Sequence, residues 1–213
     1  MLGFFKRKNP DSLTTKSSYY ERECVINTPT DLFLLLSDVK KATFDQTDVP
    51  ILVNGLSLNG MTTKQLTKNL DTPNYLFDNK ENIPNHKVYF YKEEVDIYRF
   101  LLQYHFIDDK LFFVANKIYS GMSLSDENKV KIVKQLAEKY LHISDYKVPE
   151  DFGIFIEDSK KNKVFTRDGV YFFVNYISCD DITDQLWDKY SFLEEELEKK
   201  KADSFDQSLK KLL

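Results

Sequence analysis

The chain has 213 residues, 30 Lys plus Arg against 34 Asp plus Glu, a formal net charge of −4, and 15% aromatic side chains. At roughly 100–200 residues per domain, that is one large domain or two small ones. It is too apolar for a disordered chain and too poor in Gly and Pro for a collagen-like or low-complexity one.

Several partners and compartments are disfavoured before any motif is read. Arg stands only at Arg7, Arg22, Arg99 and Arg167, so lysine is the main cation. Bidentate recognition of phosphates and bases favours Arg, and with the mild acidity this argues against a nucleic-acid partner. Cys24 and Cys179 lie far apart and outside any CxxC pair, which fits free thiols in a reducing compartment. No stretch reaches the ~18 apolar residues of a membrane helix. Met1 to Lys8 places its apolar stretch before its charges, the reverse of a secretory signal. The cytoplasm is the expected location.

Residues 1–21 read as a flexible N-terminal arm. A peripheral membrane contact through residues 1–8 is an alternative, with Phe4 and Phe5 entering the interface and Lys6, Arg7 and Lys8 facing anionic lipid. Glu23 to Asn27 suggests a short strand. Thr28-Pro29-Thr30-Asp31 is a helix start, with a hydroxyl N-cap, proline in the first turn and an acid near the dipole. Leu32, Leu35, Leu36 and Val39 continue it at helical spacing, although Phe33 and Leu34 leave a buried strand open. Val49 to Leu58 is a strand or extended link. Thr62 and Gln65 match a capping box for a second helix, with Leu66 and Leu70 as its stripe. Asp71-Thr72-Pro73 stops it.

From His86 the period changes to two. Lys87–Tyr91, Ile97–Phe106 and Leu111–Tyr119 read as an antiparallel meander with a turn at Asp108-Asp109-Lys110. Tyr98, Phe100, Leu102, Tyr104 and Phe106 alternate onto one apolar face. Arg99, Gln103 and His105 share the other with Ile97 and Leu101. Ser120-Gly121-Met122-Ser123 is the best internal boundary. Ser125 then caps a helix whose stripe is Val130, Val133, Leu136, Ala137, Tyr140 and Leu141. A second meander follows over Gly153–Glu157, Lys163–Thr166 and Val170–Ile177. An amphipathic helix begins near Asp180 or Asp181 and carries Ile182, Leu186, Tyr190, Leu193 and Leu197.

The expected architecture is therefore α+β, with two modules of helices packed on antiparallel β-meanders and a C-terminal amphipathic helix. The modules span residues 22–121 and 122–201, and a charged tail covers 202–213.

Gly60-Met61-Thr62-Thr63-Lys64-Gln65-Leu66, followed by Leu70-Asp71-Thr72-Pro73, resembles the GMT-x-x-x-L … LG-x-P signature of the SmpA/OmlA family. These are small lipoproteins of the outer-membrane barrel-assembly machinery and their relatives. The aromatic strand Val88-Tyr89-Phe90-Tyr91 follows in the family's order of elements. Over about residues 30–120 the resemblance implies helices on a small antiparallel sheet and a habit of binding proteins. β-Lactamase inhibitor proteins use a related module in duplicate. Asp71 stands where the family has glycine, and a lipobox is missing, so what carries over is the module rather than the barrel-assembly role.

The chemistry-bearing residues are sparse. His86, His105 and His142 include no i,i+3 or i,i+4 pair, so no metal site is expected, and no cofactor. His105 lies near the turn acids, and His105 with Asp109 is the candidate acid/base pair. Cys179 precedes a helix start, where the dipole lowers a thiol pKa and the adjacent acids oppose it. An inert thiol at a strand end is the favoured reading. Glycines 55 and 60 lack the phosphate-loop pattern. The candidate binding residues are Tyr91, Arg99, Gln103 and His105, on a strand region whose leftover aromatic face suits a protein partner. The expected function is a non-enzymatic cytoplasmic binding protein that uses a sheet face or an inter-module groove. The alternative is a small-ligand protein or enzyme with a pocket near His105.

Overall fold

A computed structural model describes residues 11–121, 123–179, 181–200 and 203, of which 11–15 are described in their main chain alone. The first elements are helices α1 (Asp11–Glu23) and α2 (Pro29–Lys41) and strand β1 (Asp45–Thr47). The pair β2 (Leu52–Val53) and β3 (Leu56–Ser57), helix α3 (Thr63–Asn69) and β4 (Tyr75–Asp78) follow. The long strands β5 (His86–Val95), β6 (Tyr98–Ile107) and β7 (Lys110–Tyr119) precede α4 (Asp126–Leu141). Then come β8 (Phe155–Asp158), β9 (Lys163–Arg167), β10 (Phe172–Ile177) and α5 (Asp181–Tyr190). A helical stretch over 193–200 ends the described chain. The molecule is a mixed α+β structure with a large, mostly antiparallel sheet. No described helix is long and apolar enough to cross a membrane.

Local chemistry explains the helix starts. Thr28 and Asp31 form a reciprocal box: Thr28 Oγ1 accepts from the Asp31 N–H at 3.2 Å, and Asp31 Oδ2 accepts from the Thr28 N–H at 2.9 Å. Thr62 and Gln65 do the same for α3, at 3.3 and 2.8 Å. Each box satisfies two N–H groups that the first turn would otherwise leave unpaired. His142 ends α4 in a left-handed conformation. The hairpin β2–β3 turns on Asn54 and Gly55, both with positive φ (49° and 75°), the backbone that Asn-Gly supplies at least steric cost.

Eight strands form one sheet in the order β1-β8-β9-β10-β7-β6-β5-β4. Both meanders lie in it, because β10 pairs antiparallel with β7, with Asn175 opposite Ala115. The sheet thus runs continuously across the Ser120–Ser123 boundary. The edge strands β1, which pairs parallel with β8, and β4 are additions that the periodicity did not predict.

Alternation predicts one covered face, and the structure covers both. On the first, Leu102, Tyr104, Phe106, Val114 and Val174 pack with Leu66 of α3 and with Val133, Ala137 and Tyr140 of α4. On the second, Phe113, Ala115, Phe165 and Ile177 pack with Leu32, Phe33 and Leu36 of α2 and Ile182 and Leu186 of α5. Val88, Phe90 and Leu101 on that same side lie with Tyr20 and Cys24. The expectation of an open sheet face for binding is therefore corrected. The polar side chains Gln103 and His105 on the second face are buried beneath the segment that links α1 to α2.

The N-terminal arm is corrected too. Residues 11–23 are helical, and Tyr20 stacks on Tyr75 with centroids 4.9 Å apart and sits 5.0 Å from Phe90. A polar segment was held in place by one apolar face finding β4 and β5, which composition alone does not reveal. The expected strand at Glu23–Asn27 is instead the last residue of α1 followed by an irregular strap over Cys24–Asn27. The candidate anchor over residues 1–8 and the tail's Phe205, Leu209 and Leu212 lie outside the described residues.

Candidate functional site

The residues that the sequence singled out do not gather in one place. Asp109 sits at the start of α3, where its Oδ1 accepts from the Thr63 N–H at 3.1 Å and from the Thr63 hydroxyl. His105 turns instead to His86: Nδ1 of His105 lies 3.1 Å from Nε2 of His86, with the rings stacked 5.3 Å apart. The expected His105–Asp109 pair is thus replaced by a histidine pair on adjacent strands. Gln103 is a staple, donating to the Glu23 carbonyl at 2.7 Å and accepting from the Val25 N–H at 3.0 Å. Arg99 is exposed beside Glu94, 3.5 Å away. Tyr91 lies on the opposite face, edge-on to Tyr104.

The histidine pair belongs to a chain whose proton positions follow from its ends. Asn79 Nδ2 contacts the Asn27 carbonyl at 3.0 Å, and carbonyls only accept, so the amide orientation is set. The same nitrogen donates to His86 Nδ1 at 3.0 Å. The His86 proton then sits on Nε2 and is donated to His105 Nδ1. That leaves the His105 proton on Nε2, a buried atom with no acceptor, beside the rings of Phe112 and Phe113. Burial pushes His86 down to about 4. Burial, and then the neighbouring His86, push His105 well below the ordinary imidazole value. Both rings are neutral parts of the core and are closed to a substrate.

The open site lies elsewhere. A groove of about 390 Å³ runs between α2 and α5 over the strand ends of β1, β8, β9 and β10. Its floor is ionic. Glu157 of β8 lies directly opposite Lys163 of β9 in the hairpin register. Glu157 accepts from Lys163 at 2.9 Å, from Lys161 at 2.8 Å and from Gln46 of β1 at 3.3 Å. Burial works to raise this carboxyl, but the bonds from Lys161 and Lys163 outweigh it and hold the pKa down to about 2.

The walls are half apolar. Leu36, Val39 and Lys40 come from α2, and Thr183, Asp184 and Trp187 from α5. Trp187, the chain's single tryptophan, stacks on Phe33 with centroids 5.5 Å apart. The Lys40 ammonium lies 4.1 Å from the centre of the same ring, a cation–π contact that ties the two walls together. Helical spacing places Asp184 one turn before Trp187 on the same side of α5. Cys179 closes one end just beyond β10; its side chain is exposed and its N–H donates to Asn162 Oδ1 at 3.3 Å.

Of these residues only Cys179 stands out in the sequence for its chemistry; Leu36, Val39, Glu157, Lys163 and Ile177 read there as parts of a helix stripe or strands. Glu157 and Lys163 were legible in principle as an acid and a base facing each other across a short hairpin. Lys40 and Trp187 sit 147 positions apart, and no spacing rule connects them. Among the described residues no three His, Cys, Asp or Glu side chains gather to hold a metal ion. No family model matches the chain, and no similar curated protein or solved structure was found.

Proposed function

We propose that this chain is a non-enzymatic binding protein that takes its ligand in the groove between α2 and α5. The observation that carries this reading is the construction of the groove. It combines an apolar and aromatic lining with a few placed charges, in a volume typical of small-molecule sites, about 300–1,000 Å³. The chain reads as two helix-and-meander units, residues 22–121 and 122–201, that share one sheet. The groove lies where they meet, with α2 from the first and α5 from the second. An active site at His105 has little support, because its ring is enclosed by His86, Phe112 and Phe113. The two cysteines, one buried and one exposed and not joined in a disulfide, support a reducing compartment such as the cytoplasm.

The single tryptophan makes the test direct. Trp187 emission should shift saturably when a groove ligand is added from a metabolite library, and the same ligand should raise the unfolding temperature. A groove-filling Val39→Phe substitution should abolish both effects while the protein stays folded. A library that moves neither signal, or a shift that survives in Val39→Phe, overturns the proposal.

A further inference from the structure

We infer that the ligand of this groove is a zwitterionic small molecule with an apolar body, the chemistry of an α-amino acid with an aliphatic or aromatic side chain. The inference rests on the groove reading above and extends it to a ligand class. It comes from asking which charges of the lining are already matched.

Four charged side chains line the groove. Two of them, Glu157 and Lys163, pair with each other on the floor, while Lys161, which holds the second carboxylate oxygen, lies outside the lining with its side chain largely exposed to solvent. The other two are Lys40 on the α2 wall and Asp184 on the α5 wall. Among the described residues neither has an ion-pair partner, although Lys41 beside Lys40 bridges to Glu194 and Lys163 is paired below. Lys40 is nonetheless placed, because its ammonium is held over the Trp187 ring. Asp184 lies one helical turn before Trp187 on α5 and lines the same groove. An unmatched ammonium over the indole and an unmatched carboxylate one turn from it therefore line the groove from opposite walls. The lining also carries apolar surface from Leu36, Val39, Phe44 and Ile177.

The electrostatic consequence separates ligand classes. A ligand that fills the groove removes water from both wall charges. An anion satisfies Lys40 and leaves Asp184 desolvated without a partner, and a cation does the reverse; each unmatched buried charge opposes binding. A molecule with a carboxylate and an ammonium on one carbon satisfies both and presents its apolar side chain to the rest of the lining.

The experiment compares three probes of one carbon skeleton on the full chain, by Trp187 emission and calorimetry. They are L-leucine, 4-methylpentanoate without the amine, and 3-methylbutylamine without the carboxylate. L-Leucine should bind saturably and roughly tenfold or more tighter than either relative. Lys40→Gln should weaken L-leucine and leave the amine unchanged, and Asp184→Asn should weaken L-leucine and leave the acid unchanged. Both side chains are exposed, and unfolding curves would verify that the variants fold. If the acid or the amine binds as tightly as L-leucine, the zwitterion inference fails and the groove reading stands. If none of the three binds while another library compound moves Trp187, the inference fails and the groove reading again stands. If no compound moves Trp187, both fail.

Discussion

Two polar regions on the same side of the sheet have opposite characters. At the His86–His105 corner every polar group is drawn into the core, and the chain of bonds ends on a strap carbonyl at Asn27. In the α2–α5 groove the floor charges are matched, while the wall charges Lys40 and Asp184 stay open to solvent. The difference is one of cover. The strap between α1 and α2 is fastened by the amides of Gln103 and Asn79 and seals the histidines. The two helices beyond it share an apolar cluster of Leu32, Phe33 and Leu36 with Ile182 and Leu186, touch again where Phe33 and Lys40 meet Trp187, and leave the groove open beside these contacts. Polar groups are mostly matched where the cover is complete, and charges stay exposed where it is not.

The contrast can be broken in several ways, and the largest effects should come from sealed groups. Asp158 is 1% exposed and accepts from the N–H groups of Ile51, Lys160 and Asn162 and from the Asn162 side chain. Asp158→Ala leaves the N–H groups of the buried residues Ile51 and Asn162 without this acceptor, and should cost about 3 kcal/mol in urea unfolding. A loss under about 1 kcal/mol would show that this corner is not sealed.

The next effect is acid lability. His86 is held down to about 4, so between the ordinary imidazole value of about 6.5 and that value the unfolded chain binds more protons than the folded one. Stability is therefore fully present above about 6.5 and is lost as pH falls toward 4, by an amount on the order of 3 kcal/mol from His86 alone. His105 adds in the same direction. His86→Phe should flatten this window in unfolding curves recorded at stepped pH.

Glu157 titrates in a lower window with the same sign. Its folded pKa of about 2 lies below its ordinary value, so its contribution is present above about 4.5 and is lost as pH falls toward 2. Glu157→Gln should remove that lower limb and leave the histidine window intact. It should also weaken groove binding only modestly, because the matched floor pair is not the proposed contact.

The smallest effect belongs to the first face. Among the described residues the buried hydroxyls of Tyr91, Tyr104 and Tyr140 have no hydrogen-bond partner. Burial also pushes Tyr104 upward, and Glu93 adds to it. Tyr104→Phe should leave stability unchanged or raise it by up to ~1 kcal/mol, because it removes an unsatisfied group and keeps the packing. A clear loss in thermal unfolding would instead show that an interior water completes this core.

Much of the local structure was legible. The boxes at Thr28 and Thr62, the turn at Asp108-Asp109 and the buried stripe of α4 each depend on residues within four positions of one another. The Asn54-Gly55 hairpin carried the same kind of local signal and was passed over as an extended link. The site was much less legible. Alternation groups Arg99, Gln103 and His105 on one strand face, with Tyr91 on the other, and leaves the first open, whereas Gln103 is covered by the end of α1 and the strap, with its partners Val25 and Glu23 lying 78 and 80 residues earlier in the chain. The groove needs α2 and α5 side by side, a juxtaposition that no local pattern encodes.

The composition and the aromatic alternation determined that this chain builds an α+β core on antiparallel strands, because a period of two puts large side chains on the faces of a sheet whatever its neighbours are. They also determined where most helices begin, since a cap is a contact between near neighbours. Only the tertiary structure decided that the meanders share one sheet, that both its faces are covered, that His86 meets His105, and that Lys40 meets Trp187. Those pairings depend on strand order and helix placement, which are selected by how the whole core packs.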